Sequence, residues 1–182
     1  MKKKLVSICL ATYNQKNYID ECLNSILKQT YTNIEILVSD DCSKDKTYQK
    51  IKLFFLKKKT NFAVKIFRQK KNIGISKNFN FLYKKTLGDY IIFFGGDDIM
   101  VKDKIEKQVK ALSLNPKASF VYSNCKWFFN NKKKLSFNHY NFFHKNPKTI
   151  KDTLVDLTIP SPTIMINRKC IEQSPFNEQL KY

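Results

Sequence analysis

Two adjacent carboxylates after an apolar run are the residues of this chain best suited to chemistry. Asp97 and Asp98 follow the run 90–94, from which they are separated by Gly95 and Gly96. The chain has only 4 glycines, and glycine suits positions where the backbone turns tightly or lets a ligand approach. Carboxylates at the carboxyl end of a buried strand lie where open α/β sheets bind ligands, and they would suit Mg²⁺ together with substrate phosphates. The alternative is a glycine turn in which Asp98 caps the next helix.

Composition restricts the class of protein. The chain has 182 residues, of which 42% are hydrophobic, so it can bury a core and is not a disordered chain. Its formal net charge of +19 favours polyanionic partners: nucleic acid, an anionic membrane or phosphorylated small molecules. Part of that charge is explained by the compositional drift of an AT-rich genome. A nucleic-acid-binding module stays open at this point, although closely placed acids at strand ends count against it.

The start of the chain favours a strand over an export signal. The apolar run 5–11 is short, contains a serine and lacks a cleavage site after it. No apolar segment approaches membrane-spanning length. The 5 cysteines are odd in number and include no C-x-x-C pair, so we expect a reducing cytosol instead of a zinc or disulfide framework.

Hydrophobic periodicity alternates between strand and helix along most of the chain. Helices are predicted from a cap at Asn17, from about Lys44, and around the apolar stripes that start at Ile75 and Ile105. A hairpin or loop excursion is expected over 126–140, and Thr149 is a candidate cap for a short helix. The predicted strands are 5–11, 34–39, 62–67, 90–94, 119–123 and 163–166. This order predicts an α/β fold with a parallel sheet covered on both faces.

Polar residues follow three of these strands and should converge at one sheet edge. Tyr13 could stack on a base or ribose, Asp41 could accept hydrogen bonds from a base or sugar, and Asp98 could hold a metal beside a diphosphate. Structural explanations remain for each group: an aromatic at the edge of the core, a turn residue at Asn14, and helix caps at Asp40 or Asp41.

Five segments in one order resemble family 2 glycosyltransferases of the GT-A fold. The resemblance is good from residue 5 to about 115 and looser afterwards. It implies a Rossmann-like, mostly parallel central sheet with helices on both faces. It also implies a single domain over 1–182, with a nucleotide-sugar-binding part at 1–115 and the start of an acceptor-side part at 116–182. The segments are 6–14, 23–31, 35–47, 72–78 and 88–98.

The resemblance implies transfer of a sugar from a nucleotide-diphosphate donor to an acceptor hydroxyl, with inversion. Asp41 would contact the base, and Lys77 is a candidate contact of the diphosphate. Mg²⁺ or Mn²⁺ would stabilise the charge on the departing nucleoside diphosphate. The implied donor-binding residues are Thr12, Tyr13, Asn14, Asp41, Lys77 and Asp97, with Asp98 as the metal ligand.

Three departures from the family pattern stand out. Gly95 occupies the place of the first acid of an Asp-x-Asp-Asp element. Cys42 replaces a usual glycine, so we expect it to avoid the left-handed backbone region. The catalytic base is expected beyond Tyr182, because Glu172 and Glu178 do not occupy its place and are interpreted as surface charges. This leaves an inactive, donor-binding fragment as an alternative function.

The acceptor side carries fewer signals. A bacterial surface polysaccharide or a lipid-linked glycan is the expected acceptor class, and Ser161–Thr163 resembles the segment beneath the sugar. His139 and His144 flank an aromatic-rich stretch and could meet an acceptor, with solvated loop histidines as the alternative. The aromatics of that stretch stand among lysines, a pattern compatible with peripheral contact with an anionic membrane, with core packing as the alternative. The expected location is the cytoplasm, with the inner face of the membrane as an option, and no nucleic-acid partner is expected.

Overall fold

A computed structural model describes residues 3–129, 132–138, 159–171 and 174–179. The four long helices of the described residues are α1 (Ile19–Leu27), α2 (Thr47–Lys57), α3 (Ile75–Tyr83) and α4 (Lys104–Leu114). The strands are β1 (Val6–Thr12), β2 (Ile34–Asp40), β3 (Ala63–Arg68), β4 (Tyr90–Gly95), β5 (Phe120–Val121), β6 (Lys126–Phe129), β7 (Lys132–Asn138) and β8 (Met165–Asn167).

A mostly parallel sheet lies at the centre of the fold, in the order β3-β2-β1-β4-β8-β5. Strands β1 to β4 pair in parallel, and the helices α1, α2 and α3 supply the crossovers that such pairing requires. Strand β8 runs antiparallel to β4 on one side and to β5 on the other. The predicted fold class is confirmed, with antiparallel pairing confined to this side of the sheet.

Helices cover both faces of the sheet. On β1, Ile8 and Leu10 join a core that includes side chains from α1, α2 and α4. The alternate residues Cys9 and Ala11 join a second core with Phe79 and other side chains of α3. Strands β1 and β2 are buried throughout, as expected of parallel strands with both faces packed.

Two predicted helix starts are wrong by a few residues. Helix α1 begins after Tyr18, and no side chain caps it, so the predicted Asn17 cap does not form. Helix α2 begins at Thr47, later than the predicted Lys44, because the Asp45 carboxylate accepts the Thr47 N–H and ends a separate turn. Hydrogen bonds within these turns compete with the helix and delay it.

The later part of the chain contains short elements. Strands β6 and β7 form an antiparallel hairpin, which confirms one of the two predictions for 126–140. The predicted strand at 119–123 is reduced to Phe120–Val121, which pairs with β8. The proposed Thr149 helix, His139, His144 and Glu172 lie outside the described residues.

The described residues contain no helix with both the length and the apolar character needed to cross a bilayer.

Candidate functional site

Strand register brings the predicted site segments to one edge of the sheet. Thr12 is paired with Asp40 across β1 and β2, and Ala11 is paired with Gly95 across β1 and β4. The chain leaves all three strands at this level. The backbone N–H of Asp41 then donates to the Thr12 carbonyl at 2.8 Å, which joins the first two loops directly.

A cavity of about 510 Å³ opens at this edge. Its volume is within the range of small-molecule sites in proteins. The wall includes strand ends, the start of α3 and the 3₁₀ turn Ser161–Thr163. The residues of the wall are Ala11, Thr12, Tyr13, Gln15, Asp41, Asn72, Gly74, Ile75, Asn78, Phe79, Phe93, Gly95, Asp97, Asp98, Ser161 and Pro162.

Five of the seven predicted site residues line this cavity: Thr12, Tyr13, Asp41, Asp97 and Asp98. The Tyr13 side chain is 44% exposed, so its ring is accessible to a planar ligand. The other two, Asn14 and Lys77, are exposed and lie outside the cavity wall.

Asn14 connects two loops. Its backbone N–H donates to Ser43 Oγ at 2.9 Å, and its Oδ1 accepts the Lys44 N–H at 2.9 Å. Its φ of 52° is in the left-handed region, which asparagine tolerates better than most residues. The structure therefore gives Asn14 a role in loop architecture, and its predicted role in donor binding stays a prediction.

Asp41 fixes the loop that leads into α3. Its Oδ1 accepts the Ile73 N–H at 2.8 Å, and its Oδ2 accepts the Gly74 N–H at 2.9 Å. Gly74 has a φ of 84°, a conformation that side chains disfavour. Asp41 is only 3% exposed but belongs to the cavity wall. Because each carboxylate oxygen has two lone pairs, Asp41 retains acceptor capacity toward a ligand.

The neighbouring Asp40 has a structural role. It is fully buried, its Oδ1 accepts the Ser43 N–H at 3.0 Å, and the Arg68 guanidinium lies 3.7 Å from the same oxygen. Neither Asp40 nor Asp41 caps α2, which begins at Thr47. The helix-cap alternative for this pair is therefore wrong.

The expectation for Cys42 is also wrong. Its φ is 63°, within the left-handed region it was expected to avoid. Hydrogen bonds on both sides force this turn: Asp41 N–H donates to Thr12, and Asp40 Oδ1 accepts from Ser43. Tertiary contacts outweigh the local backbone preference of this residue.

Other side chains approach both glycines before the acid pair closely. A Cβ on Gly95 would lie 2.8 Å from Asp97 Oδ1 and 3.1 Å from Asp98 Oδ2. A Cβ on Gly96 would lie 2.5 Å from Gln15 Oε1. The two carboxylates therefore fold back over Gly95, in the space that a side chain there would fill. Asp98 does not cap α4, because Asp103 is the residue that precedes that helix.

Burial and charge–charge interactions shift the pKa values of the titratable groups around Asp97 and Asp98. Burial, and then the charge of Asp97, raise the pKa of Asp98 to about 6. Burial lowers the pKa of Lys104 to about 8, and the negative charge of Asp98 partly offsets that effect. Burial followed by the charges of Asp98 and Asp97 raises the pKa of the Cys22 thiol. Perturbed acids in a cavity are typical of functional sites.

The donor atoms of this corner fit a divalent cation that shares its ligands with a substrate. Oxygens of Asp97 and Asp98 approach one point above Gly95, and hard cations prefer such oxygens. Among the described residues, no cluster of three or more His, Cys, Asp and Glu could enclose a metal. Such a corner would hold a cation through one or two carboxylates and leave phosphate oxygens and water as further ligands.

Two contributors to the cavity are absent from the sequence prediction. Gln15 belongs to the wall and donates from Nε2 to Asp97 Oδ1 at 2.9 Å. Gln108 of α4 donates from Nε2 to the Thr163 carbonyl at 2.6 Å and thereby holds the turn that supplies Ser161 and Pro162. The resemblance pointed to that turn, but no local signal indicates either glutamine contact.

Comparison with known proteins adds independent information. The family model described as Glycosyl transferase family 2 matches residues 7–173. The chain is 34% identical over 131 residues to the UDP-Glc:alpha-D-GlcNAc-diphosphoundecaprenol beta-1,3-glucosyltransferase WfgD of Escherichia coli. This match covers 72% of this chain and 49% of that protein. The curated relatives that it matches are longer, and the chain spans 28% to 64% of their lengths.

Solved structures share the fold. The structure of S. aureus TarS 1-349 in complex with UDP-GlcNAc has a TM-score of 0.68 and 24% identity, over 90% of this chain and 45% of that one. The mannosyltransferase PcManGT from Pyrobaculum calidifontis in complex with GDP-Man and Mn²⁺ has a TM-score of 0.69 and 17% identity, over 93% of this chain and 46% of that one. At these identities the likeness establishes the GT-A architecture of the chain.

Proposed function

Because the chain belongs to glycosyl transferase family 2, we propose that it binds a nucleotide-diphosphate sugar and serves in transfer of that sugar to an acceptor hydroxyl. The observation that carries the proposal is the convergence of Tyr13, Asp41 and the Asp97–Asp98 pair on one cavity. An aromatic face and a buried acceptor match the base and ribose of such a donor, and the acid pair matches its metal-bound diphosphate.

The residues would divide the donor among them. The Tyr13 ring, which is accessible, would stack on the base or ribose, while Asp41 would accept from the base through its remaining lone pairs. Asp98 would hold Mg²⁺ or Mn²⁺, and Asp97, nearer the ribose, would bring a second carboxylate to the same corner. The cation would supply charge neutralisation to the departing nucleoside diphosphate. Thr12 would contribute to the same pocket, and Lys77 and Asn14 remain predicted donor contacts on its exposed side.

Fewer residues bear on the acceptor. Ser161 and Pro162 line the same cavity as Tyr13 and Asp41, so the part of the chain after residue 115 would face the sugar and the acceptor. WfgD is named for a diphosphoundecaprenol-linked substrate. A glycan or lipid-linked acceptor in bacterial surface glycan synthesis, used on the cytoplasmic side of the membrane, is the corresponding proposal here.

Inversion would require a carboxylate on the acceptor side that takes the proton of the attacking hydroxyl. Glu178 lies near α3, where its Oε1 accepts from Asn80 Nδ2 at 2.9 Å, so it is already engaged in holding the fold. We leave the base unassigned. The proposal for this chain is thus donor binding with transfer, and donor binding without transfer is its alternative.

Calorimetry with UDP, dTDP and GDP, with and without Mn²⁺ or Mg²⁺, tests the proposal. We expect at least one nucleotide to bind, and its affinity to fall by about tenfold or more when the metal is removed or when Asp98 is changed to Asn. Asp103→Asn is the matched control, because Asp103 lies between the acid pair and α4 but outside the cavity wall. If no nucleotide binds with either metal present, the proposal is wrong.

A transfer assay separates the proposal from its alternative. Release of the nucleoside diphosphate from the matching sugar donor, dependent on an added lipid-linked or glycan acceptor, would support transfer. Metal-dependent binding without any such release would favour donor binding alone.

A further inference from the structure

Gln15 lies between the end of β1 and the acid pair, with its backbone fixed on both sides. Its N–H donates to Thr47 Oγ1 at 2.9 Å. Its carbonyl accepts the N–H groups of Tyr18 and Ile19, each at 3.0 Å. The side chain therefore extends from a rigid base, which suits a residue that orients another group.

The side-chain amide of Gln15 is used asymmetrically. Nε2 donates to Asp97 Oδ1 at 2.9 Å, whereas Oε1 is buried without a hydrogen-bond partner among the described residues. The opposite amide orientation would place Oε1 against a carboxylate oxygen, and two acceptors cannot bond. A buried, unsatisfied acceptor is costly. The fold tolerates that cost at a position where the other end of the amide holds Asp97.

Gly96 makes this arrangement possible. A Cβ at position 96 would lie 2.5 Å from Gln15 Oε1 and 2.8 Å from Thr12 Cγ2. Any side chain there would displace Gln15 from its place beside Asp97. Gly96 and Gln15 therefore depend on each other, because the glycine leaves the space that the Gln15 side chain fills.

We propose that Gln15 is a positioning residue that fixes the Asp97 carboxylate in the orientation needed for the metal-bound diphosphate. The inference rests on the proposed donor-binding function. By holding Oδ1 of Asp97, Gln15 keeps that oxygen near the point above Gly95 that Asp98 Oδ2 also approaches. The family pattern has an acid where this chain has Gly95. The Gln15 amide is a neutral donor, so it restrains Asp97 without adding charge to this corner.

A double-mutant cycle on metal-dependent nucleotide binding tests whether Gln15 acts through Asp97. Gln15→Met keeps the length of the side chain and removes its donor, so we expect the apparent Mn²⁺ affinity with nucleoside diphosphate to fall about 5- to 20-fold. Asp97→Ala should lower it at least as much. Adding Gln15→Met to Asp97→Ala should change it by less than about twofold, because the partner is already gone. Gln49→Met, on the exposed side of α2, is the control and should leave the affinity unchanged.

A merely structural role would give a different result. In that case Gln15→Met would lower the affinity by the same factor in both backgrounds, with a parallel loss of thermal stability, and the inference would be wrong. It would also be wrong if Gln15→Met bound metal and nucleotide like the parent chain.

The side-chain ¹H–¹⁵N signals of Gln15, recorded without ligand, separate this inference from the proposed function. We expect these signals to shift in Asp97→Ala but not in Asp103→Asn. If these signals do not shift in Asp97→Ala, the contact between Gln15 and Asp97 is wrong, whatever the binding data show. Signals that report Asp97 in a chain that binds no nucleotide with metal would overturn the proposed function, and the positioning role with it.

Discussion

The side-chain amide of Asn80 pairs with both backbone polar groups of Phe176. Asn80 Oδ1 accepts the Phe176 N–H at 3.1 Å, and Asn80 Nδ2 donates to the Phe176 carbonyl at 2.8 Å. The Phe176 ring packs on Phe79 and Phe93, with centroids 5.3 Å and 4.8 Å away. Because both of these rings line the cavity, one buried asparagine of α3 connects the segment 174–179 to the cavity wall.

Asn80→Ala should loosen this segment while the sheet stays folded. The substitution removes two bonds to partly buried backbone groups, so we expect a loss of about 1–3 kcal/mol in the free energy of opening of 174–179. Hydrogen exchange of the Phe176 amide measures this loss directly. Asn115→Ala, at the exposed end of α4, should leave that amide unchanged. Equal loss of protection throughout β1 and β4 would contradict a local role for Asn80.

Cys42→Gly should stabilise the protein. Cys42 has a φ of 63°, and a left-handed residue with a Cβ costs roughly 1–2 kcal/mol. Glycine relieves that cost but loses more entropy on folding, so the expected net gain is about 0.5–1 kcal/mol. Urea unfolding measures it.

Cys170→Gly is the matched control, because it also replaces a free thiol with glycine but at a position without positive φ. That variant should be neutral or less stable than the parent chain. A loss of stability in Cys42→Gly of the size seen in Cys170→Gly would show that the turn imposes no strain on Cys42.

The same residue shows where local sequence rules reach their limit. The positions of Tyr13, Asp41 and Asp98 were predictable, because continuous apolar runs identify parallel strands whose carboxyl ends must share an edge. Cys42 was not, since its turn is fixed by a hydrogen bond from Asp41 to Thr12 of another strand together with one inside its own loop. The Gln15 contact with Asp97 and the Asn80 contact with Phe176 span 82 and 96 residues, respectively, and no spacing rule reaches that far.

The stability of the chain should depend on Asp98 at mildly acidic pH. The pKa of Asp98 is about 6 in the folded chain, above its ordinary value of 3.8, so the folded state holds its proton more tightly. Between about pH 4 and 6 the folded state binds more protons than the unfolded state, and stability therefore falls as pH rises. We expect Asp98 to account for a fall of about 1–3 kcal/mol over this window.

Urea unfolding of the parent chain and of Asp98→Asn, at several pH values without metal, isolates this contribution. The difference in unfolding free energy between the two proteins should change across pH 4–6 and be level above about pH 7. Added Mn²⁺ with a nucleotide should restore stability to the parent at pH 7.5 and not to Asp98→Asn. If the difference stays constant across the whole pH range, the pKa of Asp98 is not raised in the folded chain.

Lys104 supplies a second buried charge behind the acid pair. It is 7% exposed, and its Nζ has no hydrogen-bond partner among the described residues. Burial lowers its pKa to about 8, below its ordinary value of 10.5, and attraction to Asp98 offsets only part of this effect. The ammonium is therefore worse solvated in the folded chain than in water, and an apolar side chain of similar length should fit the site better.

Lys104→Met should accordingly raise the unfolding free energy at pH 7 by about 1–3 kcal/mol. Because the folded pKa is depressed, the folded state binds fewer protons than the unfolded state between about pH 8 and 10.5, so the stability of the parent should rise relative to the variant in that window. Lys107→Met, on the same helix with a side chain that is 74% exposed, is the control and should stay within about 0.5 kcal/mol of the parent. If Lys104→Met were instead less stable than the parent at pH 7, attraction to Asp98 would outweigh burial, and Lys104 would be a stabilising counter-ion of the acid pair.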